Sequence, residues 1–562
     1  MLLTIVIGAL SGLAAVAFHL AIQLVEHLLI DRAYGAKGRG WMFWTLVTPC
    51  AGAVFAGALI HYVVPNARGS GIPQVKAAYA DRGHVRFRDA AGKFVICALQ
   101  IGSGSSLGRE GPTVYICAGI SALMGRLPGV SPESLRRLLP VGAAAGIAAA
   151  FNAPIAAVTF TIEEIVGKLD QTLLSGVIVA AALAAVIERS VLGEHPVLGS
   201  VPATYGLHHL SSLAVYCALG LAAGVVSVAF RDALLFTRAR FRRSSLPEWL
   251  RPGVGGLATG ALAVAALLLL RARGVTGGGY ETLVSALGGQ LSLHVMLALC
   301  ALKIVATVMS YGSGGAGGIF APSLFIGATL GGAFGSLDNW ALGHDEPIGA
   351  FALVGMGAVF AGVLRAPITS VLIIIEMTGG YSLIVPLMIA NMTSYVLARA
   401  WRPTPTYEAL LAQDGVQLPD PRGTSPLDDV PISRLLEGHV EVACVPLSAG
   451  VAEVMAIAAG AGQDAYPVID GGGKVCGIIT SEELDLLASE PDLAPLVNAA
   501  DMMRPVVCVR VDEDLRVAVE AMISNRTRSL PVTNRAGVFV GMLEETDVVR
   551  AYLHSTATRG SP

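Results

Sequence analysis

The chain has 562 residues, of which 54% are hydrophobic and 14% charged, and its formal net charge is -3. That length is too great for one compact core. A near-neutral chain without a long basic tract lacks the electrostatic footprint of a nucleic-acid binder, which excludes that class of partner.

In chain order, the first apolar segment covers residues 2–30. It lacks the basic flank of a signal peptide and is interrupted by His19, Gln23, Glu26 and His27, so it reads as a retained, long and tilted first helix. Further apolar segments follow at 42–64, 138–162, 213–236, 253–270, 291–309, 348–375 and 383–398. About 20 apolar residues cross a hydrocarbon layer roughly 30 Å thick, so these segments predict a polytopic α-helical membrane protein up to Trp401. The stretch carrying Arg238, Arg240, Arg242 and Arg243 reads as a cytoplasmic flank. The eight cysteines (50, 97, 117, 217, 300, 444, 476 and 508) contain no Cys-x-x-Cys pair, and five lie in apolar sequence. They read as packed, reduced thiols, not as disulfides or metal ligands.

Four polar interruptions of the membrane part stand out: Gly69-Ser70-Gly71-Ile72-Pro73, Gly108-Arg109-Glu110-Gly111-Pro112, Gly317-Gly318-Ile319-Phe320-Ala321-Pro322, and Tyr407 within Pro405-Thr406-Tyr407. Three of them open apolar helices. A helix N-terminus leaves backbone N–H groups without acceptors and carries positive partial charge, so several converging there make an anion site without a full cation. An anion held only by dipoles and hydroxyls can shed water and still leave. Glu110 is the costly residue in this set, an acid where an apolar helix begins. Its carboxylate is itself an anion and can occupy a place built for one; protonated, it is neutral and free to swing away. Lys93, upstream of Gly102-Ser103-Gly104, either adds positive potential near the path or snorkels toward water.

The membrane part contains an internal repeat. Residues 141–163 and 354–376 share ten of 23 positions, including Ala153-Pro154-Ile155 against Ala366-Pro367-Ile368 and Ile162-Glu163 against Ile375-Glu376. Upstream, Gly102-Ser103-Gly104 precedes Gly111-Pro112 much as Gly312-Ser313-Gly314 precedes Ala321-Pro322. Two similar halves with helices broken by Gly and Pro point to a transporter whose site lies at the repeat interface. Glu163 and Glu376 occur in both halves and read as caps or braces of helix ends.

After Trp401 the composition changes. Residues 402–425 read as a linker with a short helix around Tyr407 to Gln413, and the remainder as a soluble domain with its own duplication, 426–490 and 491–562. Ala465-Tyr466-Pro467-Val468-Ile469 with Val475-Cys476-Gly477-Ile478-Ile479-Thr480, and Ser529-Leu530-Pro531-Val532-Thr533 with Val538-Phe539-Val540-Gly541-Met542-Leu543, each predict strand, turn, strand, with a helix on either side. No nucleophile and base constellation occurs outside the membrane motifs, which argues against an enzyme.

The three glycine-containing motifs, in order, and the tyrosine after the last membrane helix resemble those of the CLC chloride channel and transporter family. The likeness covers residues 1–401 as a transport domain, plus the tail. It implies chloride bound by the Ser70 and Tyr407 hydroxyls and by the backbone N–H groups of Ile319 and Phe320, with Glu110 as external gate and proton acceptor. It also implies a homodimer in which each subunit has its own path, in a cell membrane with the tail cytoplasmic. Exchangers of this family commonly carry a second proton glutamate directly after the Ile-Glu pair. Glu164 fills that place, whereas the repeat-equivalent position holds Met377. The resemblance therefore favours a chloride/proton antiporter over a passive, voltage- or pH-gated chloride channel. Ser70 is the chloride version of a position that is often proline in nitrate-preferring members.

The tail resembles a pair of cystathionine-β-synthase-type (CBS) domains, which implies a candidate adenine-nucleotide cleft contacted by Thr480 and Asp547; no cofactor is required for transport. Glu483 stands where the Gly-x-x-Thr-x-x-Asp pattern has Asp, and Glu544 where it has Thr. An added carboxylate repels phosphates, so a ligand-free dimerising platform is an equal alternative. Because CBS pairs also regulate magnesium channels, such a channel is a further alternative, although its pore would present oxygen ligands to a hard cation.

Overall fold

A backbone in hydrocarbon has to satisfy its own N–H and C=O groups, and the apolar segments are accordingly helical. The computed structural model describes residues 2–80, 84–126, 132–167, 171–193, 205–207, 209–418, 430–436, 442–489, 496–525 and 527–551. It divides into two units, Met1–Leu418 and Pro419–Pro562. Residues 419–425 of the expected linker lie outside the described residues.

The first half of unit one contains α1 (Leu2–Leu28), α2 (Ile30–Tyr34), α3 (Gly40–Tyr62), α4 (Ile72–Tyr79), α5 (Phe87–Gly102), α6 (Glu110–Met124), α7 (Pro132–Phe151), α8 (Pro154–Phe160), which runs on as a π-turn over Thr161–Val166, and α9 (Gln171–Leu192). The second half contains α10 (Ser212–Arg242), α11 (Arg251–Leu270), α12 (Tyr280–Leu287), α13 (Leu293–Gly312), α14 (Phe320–Leu342), α15 (Ile348–Leu364), α16 (Pro367–Thr378) and α17 (Ile384–Trp401), followed by the short α18 (Thr406–Gln413). Seven helices among the described residues are long and apolar enough to cross a membrane.

The apolar segments 138–162 and 348–375 each break before a proline, at Asn152-Ala153 and at Arg365-Ala366. Proline has no N–H and disfavours the helical conformation in the residue before it. Ala153 (φ -132, ψ 77) and Ala366 (φ -116, ψ 75) have left the helical region, and Asn152 (φ 53) and Arg365 (φ 65) are left-handed. The sequence periodicity passed over α9, which is as long as a span.

At the centre of the second half α14 packs against α15. Every residue of α15 from Gly349 to Leu364 is buried, as expected for a helix that is apolar on all sides. The two helices approach so closely that a methyl on Gly327 would lie 2.3 Å from the Gly355 carbonyl oxygen, and the reverse substitution would clash equally.

Unit two holds α19 (Ser433–Leu436), β1 (Val445–Pro446), α20 (Val451–Ala461), β2 (Ala465–Ile469), β3 (Val475–Thr480), α21 (Ser481–Ser489), α22 (Ala499–Met502), β4 (Val509–Arg510), α23 (Leu515–Asn525), β5 (Ser529–Thr533) and β6 (Phe539–Glu544). Its sheets run β1-β2-β3 and β4-β5-β6, each with one parallel and one antiparallel pairing. Both carry a bulge at the same place, Val468/Ile469 and Val532/Thr533. The copies pack through Ala465, Ile478 and Met542, and the Phe539 N–H donates to the Gly473 carbonyl at 2.9 Å.

Candidate anion and proton site

The three glycine-containing motifs, far apart in sequence, are stitched together by backbone hydrogen bonds. Gly108 and Gly318 exchange N–H to carbonyl bonds at 2.7 Å in both directions, while Gly69 N–H donates to Gly315 (3.1 Å) and Gly317 N–H to Gly69 (3.2 Å). Gly71 has φ 103, open to glycine and costly for other residues. A Cβ on Gly111 would lie 2.0 Å from the Ser70 hydroxyl oxygen, so glycine there lets the start of α6 close on the Ser70 loop.

These contacts bring the starts of α6 and α14 together beside the Ser70 loop. The first helical residue of α6 is Glu110 and that of α14 is Phe320, with Ile319 at its N-cap. The Phe320 ring is wedged against Phe151, Phe160 and Phe360 at centroid distances of 4.7, 5.6 and 4.4 Å, which fixes where α14 begins. Ser70 and Tyr407 are buried, and neither hydroxyl makes a hydrogen bond to a protein group. Buried hydroxyls are ordinarily paired, so the two are donors suited to an anion. Lys93 is not snorkelling: it is fully buried and its ammonium donates to the carbonyls of Ala67 and Gly69, both at 2.9 Å, just before Ser70.

Glu110 is fully buried. One of its oxygens accepts from the Ala321 N–H at 3.3 Å, in the first turn of α14, and the other from the Tyr280 hydroxyl at 2.6 Å. The carboxylate thus occupies an anion position at a helix N-terminus.

Glu164 lies in the π-turn after α8, a helix irregularity that often marks a functional position. Its carboxylate is 3.0 Å from the Lys76 ammonium, which is also 3.0 Å from Glu408. Side-chain exposure falls from 26% at Glu408 to 14% at Lys76 and 4% at Glu164, so the triad leads inward from solvent. Its neighbour Glu163 turns the other way, accepting from the N–H groups of Ile368 (3.2 Å) and Thr369 (2.8 Å). Glu376 reciprocates on Ile155 (3.1 Å) and Ala156 (2.7 Å). Glu248, in the loop beyond α10 and outside the spans, sits 3.4 Å from Arg68, which draws its carboxyl below the usual range.

Tyr280, Lys303, Lys76 and Glu408 escaped the sequence reading. A signal for the first two was present: Ser70 precedes Lys93 by the same interval as Tyr280 precedes Lys303. Lys303 repeats the task of Lys93, donating to the carbonyls of Gly274 (2.9 Å), Val275 (3.2 Å) and Gly277 (2.8 Å). Beyond Tyr280 lies a cavity of about 620 Å³.

In unit two, Thr480 donates to Glu483 through its N–H (2.9 Å) and its hydroxyl (2.5 Å), and Arg504 pairs with the same carboxylate. Asp547 is buried and accepts from the Glu544 N–H at 3.2 Å. In each copy the acid three positions on, Glu483 or Asp547, thus accepts the N–H of the residue before the following helix, Thr480 or Glu544. With Glu482, Glu483, Glu544 and Glu545 nearby in sequence, this donor set does not fit a triphosphate.

The sequence profile described as voltage gated chloride channel matches residues 52–399, and the CBS domain profile matches 438–486 and 497–554. The H(+)/Cl(-) exchange transporter ClcA of Vibrio cholerae is 35% identical over 421 residues, covering 73% of this chain and 88% of that protein. ClcA of Salmonella paratyphi A is 32% identical over 425 residues, with coverages of 73% and 87%. A slow cyanobacterial Cl-/H+ antiporter superposes with TM-score 0.67 at 27% identity, covering 74% of this chain and 97% of that one. A eukaryotic CLC transporter shares the fold over 97% of both chains, with TM-score 0.66 at 22% identity.

Proposed function

This chain belongs to the voltage-gated chloride channel family, and we propose that it is a chloride/proton antiporter of the cell membrane, carrying a cytoplasmic CBS pair. The observation that carries this reading is the Glu110 carboxylate seated on the N-terminus of α14, together with two buried hydroxyls, of Ser70 and Tyr407, that lack protein acceptors. Chloride takes the inner place, held by the hydroxyls of Ser70 and Tyr407 and the N–H groups of Ile319 and Phe320. Glu110 competes for the outer place. When it takes up a proton its charge disappears, the helix dipole no longer holds it, and it leaves the path open to chloride. Glu164 supplies the inner end of the proton route and exchanges with water by way of the Lys76 and Glu408 neighbourhood.

The two ends face opposite sides. Glu164 lies just before α9, and Glu188 and Leu192 at the far end of that helix line the cavity beside Tyr280; 22 residues of helix cover about 33 Å. The arginine-rich end of α10 binds α18, with Arg238 donating to the Leu410 carbonyl (3.1 Å) and to Asp414 (2.7 Å). By the positive-inside tendency, unit one therefore ends on the cytoplasmic side. We assign the chain to a homodimer with one path per subunit. The CBS pair acts as a platform or takes an adenosine-type ligand, and no transport step is routed through a nucleotide.

The second reading is a passive chloride channel, favoured by the ion pair that ties Glu164 to the Lys76 ammonium. Purified protein in liposomes decides between them: an outward chloride gradient should drive protons uphill. Chloride flux with no proton movement would sink the exchanger and leave the channel.

A further inference from the structure

We propose that Tyr280 is an outer anion ligand, whose hydroxyl holds the Glu110 carboxylate in the outer site and binds chloride there once Glu110 has left. The proposal rests on the reading of Glu110 as the gate and adds a ligand to it. A phenol has one proton to donate, and here it goes to Glu110 at 2.6 Å, a short bond of the charge-assisted kind. The other donor, the Ala321 N–H, is longer at 3.3 Å. Tyr280 is therefore the stronger of the two tethers on the gate.

Its place in the fold repeats that of Ser70. Each hydroxyl belongs to a loop-to-helix junction, before α4 or at the start of α12, and each loop is pinned by a fully buried lysine from the next long helix. Lys93 takes the carbonyls of Ala67 and Gly69; Lys303 takes those of Gly274, Val275 and Gly277. The duplication thus sets one hydroxyl on the inner anion place and another on the outer. A pinned loop matters because a donor that need not reorganise can bind either a carboxylate or a halide without trapping it.

Tyr280 also divides Glu110 from the cavity, which it lines and Glu110 does not. The charged and titratable groups on that side are Glu26, Asp31, Glu188 and Glu281, the cations Arg109 and Arg273, the imidazoles of His19 and His27, and Tyr34; Lys303 stands behind the loop. Acidification alters several of these, so the two histidines need their own control.

The test uses the full chain. In liposomes, Tyr280→Phe should raise chloride turnover at neutral pH about three- to tenfold and move the pH of half-maximal turnover up by about one unit. The direction follows from losing a donor that favours the carboxylate, and the size from one hydrogen bond to a charged group. In the Glu110→Gln background, adding Tyr280→Phe should weaken chloride binding by calorimetry about five- to tenfold. Unchanged affinity together with an unchanged pH profile overturns the role of Tyr280. So does a profile that shifts with His19→Gln/His27→Gln and not with Tyr280→Phe. If instead Glu110→Gln keeps its full pH dependence, the gate reading itself fails.

Discussion

Glu163 and Glu376 cap each other's half of the repeat: the carboxylate of each accepts the first N–H groups of the broken helix that leads to the other. A carboxylate on a helix N-terminus satisfies orphan donors and complements the dipole. Because both α8 and α16 start after an interruption of the helix, these caps are what secures the starts. Glu163→Ala and Glu376→Ala should each cost about 2 kcal/mol, read as a lower midpoint of thermal unfolding in detergent. The losses should add in the double variant because the bonds are separate; an unchanged midpoint in either single variant contradicts the bracing role.

The two proton glutamates should fail differently. Glu110→Gln removes the competing anion and is expected to carry chloride with neither proton coupling nor pH dependence. Glu164→Gln should lose proton movement and keep chloride binding. Paired chloride and proton electrodes on the same liposomes check both, and coupled proton flux in Glu110→Gln would contradict the assignment.

Lys76 shares one positive charge between two carboxylates. Lys76→Met leaves Glu164 and Glu408 facing each other without a cation, and like charges so close retain a proton between them. Proton flux should drop about tenfold, with chloride flux less affected. Adding Glu408→Gln removes the repulsion and should restore part of the flux.

Glu248 provides a pH test outside the spans. Arg68 lowers its carboxyl in the folded protein, so the pair's contribution is present above the unfolded value of about 4.3 and is lost as pH falls through the lower folded value. Arg68→Ala should flatten this acid limb of the unfolding profile. The effect should be small, because the carboxylate is half exposed.

In the tail, the carboxylates around Thr480 and Asp547 repel phosphates. ATP should leave the unfolding midpoint of the full chain unchanged, whereas binding would raise it by mass action. A shift that grows with ATP concentration would contradict this.

Composition, motifs and repeat were legible from the sequence because each depends on local pattern: apolar length for the spans, glycine and proline before helix starts, and matching residues in the two halves. Ser70, Glu110 and Tyr407 announce themselves through polarity in an apolar setting, which is costly wherever it occurs. The tertiary structure alone decided which groups meet. Tyr280 reaches Glu110 across 170 residues and Lys76 reaches Glu408 across 332, and neither has a local signature beyond being a tyrosine near a glycine run or a lysine on a short helix. Pro154 and Pro367 announce the breaks at Ala153 and Ala366, but only the fold pairs each new helix start with the carboxylate of the other half. Such contacts are set by how the two halves pack, a property of the whole membrane unit and of no single segment.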